Sequence, residues 1–211
     1  MSQPPLVLAS TSPRRHALLR SAGLDFTVVT ADAVELDDPA LGLAGLVLTN
    51  ARAKALAVMP AHPNAVVLAA DTLVWLDGRP LGKPADLAAA RSMLRALSGR
   101  VHEVATGVHL GRIEPTARVE FHEVSYVRFR PLDDALIERY VASVEILDKA
   151  GAYAVQEQGE MLIAQVEGSH TNVIGLPLTR TLAALRAIEL EPFVAARAGE
   201  AAARRRFMSR L

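Results

Sequence analysis

The chain has 211 residues, of which 51% are hydrophobic, enough to fold around a substantial core as one large domain or as two small lobes sharing a sheet. Lys plus Arg and Asp plus Glu balance at 23 each, which argues against binding nucleic acid or a membrane surface through net field, so any anion site must be local. The absence of cysteine excludes disulfides, Cys-ligated zinc and a thiol nucleophile. The N-terminus lacks a basic segment followed by an apolar one. No apolar run approaches the ~20 residues of a membrane span, so a soluble, cytoplasmic protein is expected.

In chain order, "PLVLAS" reads as a strand that leads through small polar residues into a helix opened by Pro13 behind a Ser N-cap. Arg14 and Arg15 then fall in the first helical turn, where free N–H groups and the macrodipole already present positive charge. Either a carboxylate elsewhere pairs with them or the strand, tight turn and helix N-terminus form a phosphate cradle that includes Ser10. A second strand is predicted over 26–31 and a helix over 41–58. "AVVLAADTLVWLDG" predicts a buried strand ending near Asp71, then a short strand and a hairpin turn at Asp77-Gly78. A helix is expected from about Asp86 to Leu97, two long antiparallel strands over 101–110 and 118–130, and an amphipathic helix over 133–142. Residues 145–175 read as irregular with short strands, and 177–188 as a helix opened by Pro177. This order predicts an α/β fold in one domain, 1–190, with an Ala/Arg-rich helix or tail, 191–211, appended.

No P-loop, Rossmann, zincin or α/β-hydrolase motif is present. The chemistry is therefore carried by other groups. A carboxylate such as Asp71 at the end of a buried strand is commonly presented into a cleft, as a metal ligand or a base, or it merely caps a turn. Lys83 stands in a turn fixed by Gly82 and Pro84. Glu145, Asp148, Lys149 and Gln156 cluster in a Gly/Ala-rich segment that fits either a structural ion pair or a site for a metal-bound polyphosphate. His102 and Thr106 read as packed residues, Met93 and Leu94 as core, Trp75 as packing at the hairpin and the Arg204–Arg206 run as a solvated face.

"LASTSPRRHALL", "AADTLVWLDGRPLGKPADLAAARSMLRALSGRVHEVATGV" and "YVASVEILDKAGAYAVQEQGEMLIAQVEGSHTNVIGLPLTRTLAAL" resemble, in order, the signatures of the Maf family of nucleoside triphosphate pyrophosphatases, over about residues 5 to 188. The resemblance implies a two-lobed α/β fold, related to the inosine triphosphatase-like enzymes, with a mixed twisted sheet around a deep cleft. It implies hydrolysis of a nucleoside triphosphate substrate to the monophosphate and pyrophosphate with Mg²⁺ or Mn²⁺, often in a homodimer; the near-zero net charge and few aromatics predict no nucleic-acid or membrane partner. On it, Asp71 is the catalytic carboxylate and a metal ligand with Glu35, for which Asp32 is the alternative. Ser10, Arg14, Arg15, Lys83 and Gln156 line the substrate cleft. Arg14, Thr72 and Gln156 match the branch that acts on dTTP and UTP, while other branches act on 7-methyl-GTP or ITP, and the family is linked to septum inhibition. Two departures stand out. In "NARAKALA" the match puts Arg52 in the place of a family lysine; Lys54 is the alternative for that role, although two residues along a helix turn it by ~200° to the opposite face. In "AVQEQG", Glu157 brings a charge near the expected base pocket.

Overall fold

The computed structural model describes residues 4–114 and 116–188. The expected tail at 191–211, with its arginine run, lies outside the described residues. Strand β1 (Leu6–Leu8) is followed by α1 (Pro13–Ser21), β2 (Thr27–Val28), α2 (Gly42–Val58), β3 (Val66–Leu76) and β4 (Arg79–Leu81). Then come α3 (Leu87–Leu97), β5 (Val101–Arg112), β6 (Ala117–Phe129), α4 (Asp134–Ser143), β7 (Ile163–Glu167), α5 (His170–Ile174) and α6 (Leu178–Ala187). The strands form one seven-stranded sheet in the order β2-β1-β3-β5-β6-β7, with β4 beside β3. β2 and β3 run parallel to β1, and the other pairs are antiparallel. The α/β architecture with a mixed sheet is the one expected.

Several boundaries move for local reasons. β2 is two residues long, not six, since only Thr27 and Val28 pair with β1. Pro177 is the N-cap of α6 rather than its first residue, and Asp86 caps α3 by accepting the Ala89 N–H at 2.7 Å. Asp77 and Gly78 take positive φ values of 52° and 77°, as a tight hairpin between right-twisting strands requires. The largest change concerns Asp71. It lies in the middle of an eleven-residue strand, not at its end. The polar Asp71-Thr72 pair reads as a terminus in the sequence, yet β5 continues to pair with β3 from Val67 to Trp75.

What breaks at Asp71 is the opposite edge. β1 pairs with β3 at Val66 to Leu68 and β4 pairs with it at Val74 to Leu76, so these two strands flank a gap on the same edge. The alternating faces of β3 show the same division. Val66, Leu68 and Ala70 join a core cluster with α1 and α6, while Val74 and Leu76 join another with α3 and α4. Between them on that face stands Thr72, whose hydroxyl meets that of Thr106 at 2.9 Å. Thr106 in turn donates to the Asn172 carbonyl on α5 at 3.1 Å. A polar seam thus separates two apolar bodies.

On the other face, Val67 and Ala69 pack with Ala55 and Val58 of α2. The helix approaches closely because Gly107, the β5 partner of Asp71, has no side chain. A Cβ there would lie 2.4 Å from both the carbonyl carbon and oxygen of Val47. Gly107→Ala therefore forces α2 outward, and a loss of roughly 3 kcal/mol in unfolding free energy is expected in urea titrations. The helical stretch Pro39–Ala61 holds an 18-residue window of mean hydropathy 1.3 and is, by length and composition, long enough to cross a membrane, contrary to the sequence expectation. Its Leu46, Val47, Ala51, Ala55 and Val58 are buried within the protein.

His102 is a packed residue, as expected. It meets the Tyr153 hydroxyl at 2.7 Å and both Phe129 and Tyr153 edge-on. Burial pushes its pKa from 6.5 down to about 4. The folded state thus resists a proton that the unfolded chain accepts, so this contribution is complete above pH 6.5 and is lost as pH falls toward 4. Its size is on the order of 3 kcal/mol. Urea titrations between pH 7 and 4 should show stability falling in wild type, with a smaller slope in His102→Gln. Part of the slope persists because burial also lowers the pKa of His109.

Candidate active site

The gap between β1 and β4 opens into a cleft of about 540 Å³, within the range of small-molecule sites. Ser10, Arg14 and Arg15 reach it from the turn between β1 and α1, Asp71 and Thr72 from β3, and Lys83 from the turn after β4. Glu35 comes from the loop before α2, and Gln156 from the segment after α4. Asp32, the alternative to Glu35, is not among the lining residues.

The two arginines differ. Arg15 is buried, and its fork is spread over three neutral oxygens: Nε donates to the Gly175 carbonyl at 2.9 Å, Nη1 to Ser10 Oγ at 3.0 Å and Nη2 to Thr72 Oγ1 at 3.0 Å. Burial lowers its pKa, opposed mainly by the charge of Asp71. Arg15 thus staples α1 to the polar seam while placing a cation at the cleft. Arg14 instead donates to Asp148 Oδ2 at 3.3 Å, so here the plainer alternative of a carboxylate partner holds. Ser12 caps α1 without a side-chain bond, and its N–H donates to Ser10 Oγ at 3.3 Å.

Asp71 is buried and held from α2 by two side chains. Its Oδ1 accepts from Lys54 Nζ at 2.6 Å and its Oδ2 from Asn50 Nδ2 at 3.2 Å. Lys54 also meets Glu35 Oε1 at 2.8 Å, so two carboxylates share one ammonium. Asn50 further bonds the backbone N–H and carbonyl of Leu36, at 2.8 and 3.0 Å, and so anchors the loop that carries Glu35. Two carboxylates are the donor set that a hard divalent cation accepts when phosphate oxygens and water complete its shell. Among the described residues there is no group of three or more His, Cys, Asp or Glu that would hold such an ion alone. The residues fit an ion that arrives with a phosphorylated ligand.

A family model described as "Maf-like protein" matches residues 5–188. The chain belongs to the Maf family. It is similar to the dTTP/UTP pyrophosphatase of Akkermansia muciniphila, 45% identical over 185 residues that cover 88% of this chain and 97% of the relative. The protein of the same name from Symbiobacterium thermophilum is 48% identical, over 84% of this chain and 90% of its own. That from Anaeromyxobacter dehalogenans is 51% identical, over 87% and 93%.

Within this Maf chain, one expected site residue is misplaced. Arg52 is not in the cleft: its Nε and Nη2 form a bidentate pair with Glu120, 2.7 Å each, which holds the Glu120 carboxyl down at about 2. The reason is the helical turn of ~200° between positions two apart, which puts Lys54, not Arg52, toward Asp71. The signal was legible, since Asn50 and Lys54 are spaced by one helical turn and share a face. Glu157 also departs from expectation. It does not line the cleft but meets the buried Lys149 at 3.4 Å. Lys149 also donates to Asp148 at 2.8 Å and to the Glu145 carbonyl, so this cluster is an ion-pair network, and its Asp148, Lys149 and Gln156 line the cleft.

Proposed function

We propose that this chain hydrolyses dTTP and UTP to the monophosphate and pyrophosphate. The observation that carries the reading is the meeting of Asp71 and Glu35 with Arg14, Arg15 and Lys83 on one cleft, in a chain similar over most of its length to proteins named dTTP/UTP pyrophosphatase. A triphosphate supplies the negative charge that the cationic side of the cleft lacks. In-line attack at the α-phosphorus needs positive charge near the equatorial and leaving oxygens, and Arg14, Arg15 and Lys83 provide it. Asp71, fixed on both oxygens by Lys54 and Asn50, orients the attacking water and takes up its proton as the P–O bond to the β-phosphate breaks. Asp71 and Glu35 would hold a Mg²⁺ or Mn²⁺ ion, which supplies Lewis-acid neutralisation of the phosphate charge. Ser10 keeps Arg15 in register. Gln156 offers a donor and an acceptor to the O4 and N3–H edge of uracil or thymine, and Thr72 sets the position of Arg15 beside it. A homodimer follows the same family resemblance.

Pyrophosphate release is measured across dTTP, UTP, CTP, GTP, ITP and 7-methyl-GTP, with Mg²⁺, with Mn²⁺ and with EDTA. Release strongest with dTTP and UTP, and abolished by EDTA, is the expected result. Release from purine substrates alone would overturn the base assignment, and no release from any would overturn the reaction.

A further inference from the structure

Asp148 carries the same sign as the proposed ligand. It lines the same cleft as Arg14, Arg15 and Lys83, where the proposed ligand is a polyanion. Its Oδ2 accepts from Arg14 Nη1 at 3.3 Å and its Oδ1 from Lys149 Nζ at 2.8 Å. Lys149, buried, bound to the Glu145 carbonyl and Glu157 and also lining the cleft, anchors the half-exposed Asp148 beside Arg14. Burial alone would raise its pKa, but the hydrogen bond and charge of Lys149 and the charge of Arg14 lower it overall, and the group is a carboxylate at neutral pH. The first turn of α1 has no acidic residue of its own, and Asp148 supplies the carboxylate that pairs with its Arg14. The pair joins residues 134 positions apart, from the α1 side of the cleft to the segment after α4.

We propose that Asp148 is an internal competitor for the phosphate site: it occupies Arg14 when the cleft is free, and an incoming phosphate must displace it. The inference rests on the reading that substrate phosphates bind at Arg14. Every ligand that engages Arg14 incurs the same penalty. A triphosphate that also meets Arg15, Lys83 and the carboxylate-bound ion tolerates it, whereas a smaller product loses a larger share of its binding. When the product loosens, Asp148 returns to Arg14 and competes with rebinding. Asp148 thereby weakens triphosphate and product by the same factor, leaves their affinity ratio unchanged and shortens the stay of the product.

The test is calorimetric titration of inorganic pyrophosphate into the full-length, metal-free protein. Asp148→Asn keeps an oxygen acceptor for Lys149 but removes the charge facing Arg14, and it should bind pyrophosphate about fivefold more tightly than wild type at low salt. The gain should shrink in 0.5 M salt through screening, on the order of a 4–5 Å Debye length. Glu157→Gln removes one negative charge from the same Lys149 without touching Arg14 and should leave the affinity unchanged. In an Arg14→Gln background, Asp148→Asn should give no gain. Equal or weaker binding by Asp148→Asn, an equal gain from Glu157→Gln, or a gain that persists without Arg14 would overturn the proposal. Absence of pyrophosphate binding in wild type and all variants would instead overturn the phosphate-site reading on which it rests.

Discussion

Replacing Asp71 with Asn lowers the rate of pyrophosphate release from dTTP and UTP by about a thousandfold while nucleotide binding is largely retained, the loss typical of removing a positioned base. The substitution is nearly isosteric, so the contact with Gly107 and the register of β3 against β5 persist. The amide oxygen still accepts from Lys54 or Asn50, but the group no longer takes a proton. Lys54 keeps Glu35 as a counter-ion, so the variant should fold with little change in stability. Steady-state kinetics show the split directly, as a collapsed kcat with a KM near that of wild type. Unchanged turnover would remove Asp71 from the mechanism.

The second large effect separates two neighbours on α2. Lys54→Met should lower turnover by about a hundredfold and destabilise the fold by roughly 3 kcal/mol, because it leaves the buried Asp71 beside Glu35 with no cation between them. Arg52→Met removes a half-exposed pair with Glu120 and should leave kcat within about twofold of wild type. Turnover and urea titration of the two variants, measured side by side, check both statements. Equal losses of activity from both would mean that the face of α2 toward Asp71 is not the functional one.

Much of this architecture was legible in the sequence because it is written in short-range terms. Asp77-Gly78 demands its hairpin, Asp86 its helix start, and Pro13 the entry to α1, each through local backbone chemistry. The strand containing Asp71 was harder. In sequence a polar pair after an apolar run ends a strand, but the Thr72–Thr106 contact and the side-chain-free Gly107 are supplied from β5, more than thirty residues later. The site divides in the same way. Ser10, Arg14, Arg15, Asp71 and Lys83 stand in compact motifs, and the structure brings them to one cleft. Lys54 was masked by its neighbour Arg52, although helical spacing alone separates their faces. Asp148 stood in a cluster that the sequence marks, but its pairing with Arg14, 134 residues away, carried no signal.

The central claim is that this cleft directs water onto the α-phosphorus. It is tested most directly by hydrolysis of UTP in ¹⁸O-labelled water, followed by mass spectrometry of both products. Incorporation of one ¹⁸O into UMP and none into pyrophosphate is the result predicted. Label in pyrophosphate, or in orthophosphate released from the far end of the chain, would contradict it.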